Sequence, residues 1–372
     1  MDPLKICCPN VDCPARGHIG KGNLSIHSRK EQRYLCRECG RTFSTRKGTM
    51  YFRLHKTEEM MTTVLTLLAH GCPVQAIVAA FGCDERTVMS WFQRAGAQCQ
   101  AVHEHLVEHP QDLGQVQMDE IRVKVQGKVI WMAMALRVQT RLWLGGEVGE
   151  HRDMVLITRL VERVKASASA LYGPILFCTD GLRHYVSALR DVFRESVPSG
   201  QRGRPEKRPW KDLLIAQVVK QYQQGRVVGV LRRIVQGTAA QVEAVRRRSQ
   251  GHGVINTAFI ERLNATFRSC LAVLTRRGRA LARTAQTLEA GMYLVGSVYN
   301  FCTDHDSLRL PGLIGGHRWL TRTPAMAAKL TDHRWTVRKL LSFRVPLPPW
   351  TPPKRRGRLS RATKQLIERW CQ

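Results

Sequence analysis

The chain has 372 residues, of which 43% are apolar, so it can fill the cores of two or three domains and is not disordered throughout. Its 59 Lys and Arg residues outnumber 29 Asp and Glu residues, and the net charge of +30 indicates a polyanionic partner, with nucleic acid favoured over a membrane surface. No uncharged run approaches the ~20 residues of a membrane-spanning helix, and the first residues lack the apolar stretch of a secretory signal, so we expect a cytoplasmic protein.

Residues 1–56 contain two close pairs of cysteines, Cys8 with Cys13 and Cys36 with Cys39. Four thiolates from two tight turns suit one tetrahedral zinc ion, which would supply much of the folding energy of so small a module. We therefore expect a zinc module with one structural Zn²⁺, although reduced cysteines without metal are the alternative. The spacing also leaves open Cys7 in place of Cys8, and His18 or His27 as a ligand.

Residues 57–110 have the pattern of a helix-turn-helix DNA-binding domain. A threonine and two glutamates start a first helix, Gly71 and Pro73 interrupt the chain, and a short helix from Val74 to Ala80 follows. A third helix is predicted from Glu85 to Arg94, in the position of a helix that enters the major groove. The side chains predicted to face DNA are Arg86, Thr87, Ser90, Gln93 and Arg94, and those predicted to be buried are Met89 with Trp91 or Phe92. A three-helix bundle without DNA binding is the alternative.

From Gln115 the period of the apolar residues changes to two, which predicts β-strands. In the strand QVQMDEIRVKV, Asp119 shares a face with Ile121 and two valines, so it is expected to point towards the covered side of a sheet. Glu120 shares the opposite face with Arg122 and Lys124 and is expected to point to solvent. An inward carboxylate is unfavourable unless it is paired or bound to metal, which makes Asp119 a candidate site residue.

The segments after this strand predict an α/β arrangement. A two-residue hairpin at Gly127-Lys128, a central buried strand VIWMAMALRV, a third strand RLWLGGEV and a helix from Met154 to Leu171 follow in turn. The apolar run ILFCT then ends at Asp180, and the carboxyl end of a buried strand is where α/β sites are built.

A later helix, starting at Asn256 or Thr257, carries a third candidate acid. At helical spacing Glu261, Asn264 and Arg268 form a polar stripe away from the apolar side of this helix. Together with Asp119 and Asp180, Glu261 fits phosphodiester chemistry in which three carboxylates hold two Mg²⁺ or Mn²⁺ ions. Each of these acids could instead be a solvated or capping residue. The other candidates for the third carboxylate are Glu195 and Glu243.

A basic insertion, residues 196–255, separates the second and third candidate acids. It starts with a Gly/Pro-rich linker, SGQRGRPEKRPW, which is expected to be mobile until DNA binds. Two strands on either side of Gln224-Gly225 and a short basic helix are expected to follow. The remaining residues, 303–372, are predicted to form short helices and an extended basic arm, PLPPWTPPKRRGR, with Trp319, Trp335 and Trp350 as packing residues.

Five strings carry a resemblance to a known family: QRYLCRECGRTFS, QMDE, CTDGLRHY, FIERLNATFR and TLEAGMYLVGSVYNFC. Over roughly residues 6–300 the chain resembles bacterial insertion-sequence transposases of the DDE type, closest to the insertion sequence 1 group. The resemblance implies a multidomain chain: a zinc ribbon, an all-α helix-turn-helix, and an α/β ribonuclease H-like catalytic domain over 111–302. Asp119, Asp180 and Glu261 are the metal ligands that it implies. The chain departs from short members of the group in its insertion and its longer tail.

The expected function is that of a transposase that binds the terminal inverted repeats of a mobile element, cuts the strands there and joins them to target DNA. Asn264 and Arg268 are expected to contact the DNA strand, and the protein is expected to form a homo-oligomer, at least a dimer on DNA. The helix from Thr284 to Cys302, apolar nearly all round, is the candidate interface. The alternatives are a zinc-containing transcription regulator without catalysis and a structure-specific nuclease that cuts without joining.

Overall fold

The structure, a computed structural model, describes residues 1–125, 128–197, 205–274, 284–312, 318–352 and 357–371. The chain divides into two compact units. The first consists of Met1–Glu58 together with Leu341–Gln372, and the second of Glu59–Leu340. Within the described ranges, none of the helices combines the length and the apolar character that a membrane crossing requires.

Helices and strands are numbered in chain order over the described residues. The helices are α1 (Glu58–Ala69), α2 (Val74–Phe81), α3 (Glu85–Leu106), α4 (Met154–Ala166), α5 (Arg183–Val192), α6 (Ala239–Gln250), α7 (Ala258–Cys270), α8 (Ala285–Cys302), α9 (Pro324–Ala327), α10 (Val337–Ser342) and α11 (Arg361–Trp370). The strands are β1 (Leu24–Ser28), β2 (Arg33–Cys36), β3 (Thr42–Ser44), β4 (Gln115–Val125), β5 (Lys128–Arg137), β6 (Leu142–Gly149), β7 (Ile175–Thr179), β8 (Arg194–Val197), β9 (Glu206–Pro209), β10 (Leu213–Gln223), β11 (Arg226–Gln236), β12 (Leu310–Pro311) and β13 (Trp319–Leu320).

The first unit is built on an antiparallel sheet of β1, β2 and β3, packed around cysteines. Trp370 of α11 inserts into this cluster and is only 3% exposed, so the end of the chain completes the core of its beginning. Helix α11 is not among the helices predicted from the sequence; Ser360 caps it by accepting a hydrogen bond from the N–H of Thr363 at 3.1 Å. Of the predicted basic arm, residues 353–356 lie outside the described residues and the rest has no regular secondary structure.

The second unit contains a six-stranded mixed sheet in the order β11-β10-β7-β4-β5-β6. Strands β4, β5 and β6 are antiparallel neighbours, whereas β7 runs parallel to β4 and β10 runs parallel to β7. This confirms the predicted strands, except that β4 and β7 rather than β5 occupy the centre. Gly127 of the predicted β4–β5 turn lies outside the described residues.

Helices cover both faces of the sheet, so a charged side chain on either face of a central strand can be buried. A Cβ at Gly149 of β6 would meet Leu156 of α4, whereas a Cβ at Gly146, three residues earlier on the same strand, would meet Met292 of α8. Helix α5 packs with α4, and α7 packs over β4 and β5. As a result, every residue of β4 from Gln115 to Ile121 is buried or half-buried.

Helix α3 is longer than predicted, running to Leu106 instead of Arg94. Its apolar spacing continues through the buried residues Ala95, Cys99 and Val102, which pack the helix against α8. Helix α8 itself is buried almost along its whole length, because α3 lies on one side and β6 on the other. The prediction that this helix forms an oligomer interface is therefore wrong, since the fold of the same chain already covers it.

Two smaller predictions also change. Helix α4 ends at Ala166 and does not reach Leu171. Part of the predicted linker is ordered, since β9 pairs with β8, while residues 198–204 lie outside the described residues.

The tail tryptophans differ from one another. Trp335 is buried and stacks on Phe301 with ring centroids 4.8 Å apart, which confirms its predicted packing role. Trp350 is half-buried. Trp319 is 38% exposed and lies beside Arg309, whose guanidinium carbon is 4.5 Å from the ring centroid.

We expect Gly96→Val to destabilise the second unit. A Cβ at Gly96 would lie 2.5 Å from the Cα of Ala290, so any larger side chain drives α3 and α8 apart. Overpacking of this kind typically costs about 1–3 kcal/mol. The control is Ala97→Val on the exposed side of the same helix, which should cost about 0.5 kcal/mol. Urea denaturation checks both variants, and equal effects would contradict the close packing.

Candidate metal centres

Two turns of the first unit bring together the sulfur atoms of Cys8, Cys13, Cys36 and Cys39, all within 4.8 Å of one another. The Sγ of Cys8 lies 3.7 Å from that of Cys39, and the Sγ of Cys13 lies 3.8 Å from that of Cys36. Sulfurs placed tetrahedrally at about 2.3 Å from one zinc ion are separated by about 3.8 Å. The cluster therefore has the dimensions of a tetrahedral metal site.

Local backbone geometry holds the thiols in place. Gly40 has a φ of 67° and donates its N–H to the carbonyl of Cys36 at 2.8 Å, which closes the turn that presents Cys39. The side-chain amide of Asn23 donates to the Cys36 sulfur at 3.6 Å. Burial raises the pKa of Cys13 to about 12, so the thiol is protonated at neutral pH until a cation replaces the proton.

The alternative ligands that the sequence left open lie outside the cluster. Cys7 is half-buried and does not join the four sulfurs, so Cys8 is the member of that pair that the fold selects. His27 is exposed on β1. His18 packs against Trp370 with ring centroids 5.3 Å apart.

The second unit brings the three candidate acids to one pocket of about 500 Å³. Asp119 lies on β4, Asp180 follows directly after the parallel strand β7, and Glu261 lies in the first turn of α7. The rest of the lining comes from Arg152, Gly181, Leu182, Val218, Val219, Lys220, Tyr222 and Thr257. Residues far apart in the chain thus converge at the carboxyl end of β7, beside the middle of β4.

Gln117 fixes Glu261 relative to Asp119. It lies two residues before Asp119, on the same face of β4, and accepts the N–H groups of Phe259 and Ile260 at 3.0 Å each. It also donates its amide to the carbonyl of Asn256 at 2.7 Å. A buried side chain of the central strand therefore caps the amino end of α7, satisfying backbone donors that otherwise lack partners.

Asp119 has an unusually high pKa. Burial, together with the nearby charges of Glu120, Asp180 and Glu261, raises the pKa of Asp119 to about 7. Asn264 of α7 donates its amide to Asp119 Oδ2 at 2.8 Å. Asn264 is only 2% exposed, so it orients Asp119 and does not make the DNA contact predicted from the sequence.

Glu120 is buried, and the prediction that it points to solvent is wrong. Its side chain is 1% exposed, because Arg152, just before α4, and Tyr185 of α5 lie against it on the face that alternation alone assigned to water. Arg152 donates from Nη2 to Glu120 at 2.8 Å and from the same nitrogen to Asp180 at 2.7 Å. Oxygen atoms of Asp119, Glu120 and Asp180 lie within 4.8 Å of one another.

Neither Glu120 nor Arg152 is a candidate site residue in the prediction from the sequence. The signal that could have found Glu120 is the adjacent acidic pair in a strand that ends up central, where alternate side chains both point into covered layers.

Asp180 and Glu261 have their own partners. Asp180 accepts the N–H of Leu182 at 2.9 Å through Oδ1, and the amide of buried Gln217 holds the Asp180 carbonyl at 2.9 Å. Glu261 Oε1 accepts from Lys220 Nζ at 2.7 Å and from the Thr257 hydroxyl at 2.8 Å.

The alternative third acids lie outside the pocket. Glu195 is exposed on β8, opposite Arg208 of β9. Glu243 accepts hydrogen bonds from Arg246 and Arg247 within and beside its own helical turn.

Three of the five side chains of α3 that were predicted to face DNA are exposed. Asp84 caps α3 by accepting the N–H groups of Arg86 and Thr87. The exposed residues are Arg86, Ser90 and Gln93; Thr87, Met89 and Arg94 are half-buried, and Val88, Trp91 and Phe92 are buried. Arg268, on α7, is also half-buried.

Comparison with known proteins gives no match, either to a protein-family model or to a curated protein.

We expect the first unit to bind one zinc ion through the cluster. Cys36→Ser should lose the metal and loosen the unit, because the remaining three thiolates leave an open position. The matched control is Cys7→Ser, which should keep the full zinc content, since Cys7 lies outside the cluster. Metal analysis of purified protein checks this; zinc lost in Cys7→Ser but kept in Cys8→Ser would reverse the ligand assignment.

We expect divalent-metal affinity at the carboxylate pocket to depend on pH through Asp119. Because its pKa is raised to about 7, the folded protein holds a proton there that a metal must displace. Mn²⁺ affinity should therefore rise about fivefold from pH 6 to 7 and less than about twofold from pH 7 to 8.

The raised pKa of Asp119 also makes the stability of the metal-free protein depend on pH. A raised acid pKa stabilises the folded state at low pH, and this contribution is lost as pH rises from about 4 towards 7.

Titration of Mn²⁺ by electron paramagnetic resonance checks the pH dependence of metal affinity. The control is Asp119→Asn, which should bind Mn²⁺ weakly and without this pH profile. An affinity that is constant between pH 6 and 7 would contradict the assignment.

Proposed function

We propose that this protein is a DDE-type transposase that cuts and joins DNA strands at the ends of a mobile element. The observation that carries the proposal is the convergence of Asp119, Asp180 and Glu261 on one pocket at the carboxyl end of β7, beside the middle of β4. Carboxylates so close together repel one another, which is unfavourable unless cations bind there. The excess of 30 positive charges over the whole chain supports DNA as the substrate.

The order of the strands supports a ribonuclease H-like catalytic domain, as the sequence resemblance implies. Three antiparallel strands, β4 to β6, lie on one side of the sheet, and β7 and β10 continue it in parallel on the other side of β4. The predicted basic insertion includes all of β10 and β11, so part of it extends this sheet. The site therefore lies where the acids of β4 and β7 meet the first turn of α7.

The residues of the pocket fit two Mg²⁺ or Mn²⁺ ions. Asp119, Asp180 and Glu261 would hold them through hard carboxylate oxygens, and such a pair activates a water or 3′-hydroxyl nucleophile and stabilises the leaving oxygen. Asn264 and Gln117 orient Asp119 and the start of α7, so the ligands are positioned before substrate arrives. Glu120 keeps Arg152 against Asp180.

Three further parts of the proposal concern DNA binding. The cysteine cluster holds one structural Zn²⁺ and stabilises a basic module, while the exposed residues Arg86, Ser90 and Gln93 of α3 read the element ends. Arg268 contributes to strand binding near the pocket. The protein works in the cytoplasm, on the nucleoid, as a homo-oligomer of at least two chains, because two ends must be held together.

We expect Glu261→Gln to abolish cleavage and joining while leaving binding to the element ends unchanged. The change removes the charge of a proposed metal ligand but not its shape, and it leaves the cysteine cluster and α3 untouched. The assay uses a supercoiled plasmid that carries the ends, with Mg²⁺, alongside an electrophoretic binding assay.

Two variants serve as controls. Glu243→Gln should cut normally, because Glu243 pairs with arginines outside the pocket. Arg86→Ala should show the opposite defect, with binding weakened by about 1–3 kcal/mol if the contact is to a base. If Glu261→Gln cuts at the normal rate, the catalytic assignment fails; if the unmodified protein binds the ends but never cuts them, it is a DNA-binding regulator.

A further inference from the structure

Two of the three proposed metal ligands form ion pairs with basic side chains of the protein. Arg152 contacts Asp180 at 2.7 Å, and Lys220 contacts Glu261 at 2.7 Å. The two cations are held very differently. Arg152 is tied to Glu120, whose side chain is 1% exposed, through both Nε and Nη2. Arg152 therefore has a permanent partner that does not depend on metal.

Lys220 lacks such an anchor. Over the described residues, Glu261 is the one carboxylate paired with its ammonium group, and the two side chains are 36% and 43% exposed. An exposed ion pair of this kind is weak and easily exchanged. Lys220 can thus leave Glu261 with little loss, provided that another anion receives it.

The position of Lys220 shows where that anion would come from. Strand β10 is buried up to Val218, and from Lys220 onwards it projects out of the sheet with β11 as an exposed hairpin. The whole stretch from Leu213 to Gln236 contains no acidic residue, whereas it contains Lys220, Arg226 and two further arginines. Lys220 and Tyr222 also line the carboxylate pocket. A phosphate backbone that entered this pocket would pass the base of a hairpin whose charged residues are all basic.

We propose that Lys220 occupies Glu261 in the metal-free protein and moves to a DNA phosphate when metal and DNA bind. The proposal rests on the proposed function. A divalent cation at Glu261 repels the ammonium group, and the incoming phosphate attracts it, so each ligand removes an obstacle to the other. Metal binding and DNA binding are then coupled, and the coupling is reciprocal: each ligand raises the affinity for the other by the same factor.

The test measures Mn²⁺ affinity of the full chain by electron paramagnetic resonance, with and without a short DNA duplex of unrelated sequence. Without DNA, Lys220→Gln should bind Mn²⁺ about two- to fivefold more tightly than the unmodified protein, because the competing cation is gone. Lys220→Arg keeps the charge and should behave like the unmodified protein. The matched control is Lys124→Gln, an exposed strand lysine outside the pocket, which should change nothing.

With the duplex present, the unmodified protein should bind Mn²⁺ at least about fivefold more tightly than without it, and this gain should shrink in Lys220→Gln. Loss of one phosphate contact should also lower the slope of DNA affinity against salt by about one. A Lys220→Gln variant with unchanged or weaker Mn²⁺ affinity and an undiminished gain from DNA would overturn the proposal.

Failure of the proposed function gives a different result. If Glu261→Gln binds Mn²⁺ as well as the unmodified protein, the metal site itself is misassigned and the exchange fails with it. If Mn²⁺ binding depends on Glu261 but not on Lys220, the metal site stands and the exchange alone is refuted. Thermal melts followed by circular dichroism confirm that each variant is folded.

Discussion

The second unit depends on how it keeps several carboxylates close together in a covered layer. Oxygens of Asp119, Glu120 and Asp180 lie within 4.8 Å of one another, and Glu261 lines the same pocket. Three devices offset the repulsion: Arg152 bridges two of the acids, Lys220 pairs with Glu261, and the raised pKa keeps a proton on Asp119 near neutral pH. In the proposed function, metal ions would replace the proton on Asp119 and the Lys220 ammonium group at Glu261.

Amide side chains provide the rigidity that charges alone cannot. Gln117 caps α7 from the central strand, Gln217 holds the backbone at Asp180, and Asn264 orients Asp119. All three are buried and uncharged, so they fix geometry without adding to the repulsion. In the proposed reaction, this preorganisation matters because ligands that must be assembled during binding lose affinity and precision.

The first unit solves a different problem, that of a small core. Its buried cluster includes three of the four thiols, with Tyr34 and Leu24 beside them and Trp370 from the far end of the chain. The stretch up to Glu58 offers little apolar area, so a metal ion and a helix supplied by the end of the chain are two separate ways of stabilising it.

In the second unit, α3 has exposed polar residues near its start and buried residues in its second half. The proposed DNA-reading residues therefore lie on the same helix that packs against α8.

The sequence by itself determined the elements and the side chains that carry chemistry. Period-two alternation located β4, the apolar run before Asp180 located β7, helical spacing placed Glu261 in the first turn of α7, and the paired cysteines located the thiol cluster. Tertiary structure alone decided what surrounds them. Alternation reports which residues share a face but not whether that face is covered, so the sequence predicts that Glu120 faces solvent, although Arg152 and Tyr185 lie against it.

Contacts between residues that are distant in the sequence could not be predicted from the sequence either. Lys220 with Glu261, Asn264 with Asp119 and Trp370 with the thiols meet only because the strand order and the chain ends bring them together. The physical reason is that local periodicity depends on backbone geometry within a few residues. Charge pairing and burial, in contrast, depend on which elements the completed topology makes neighbours.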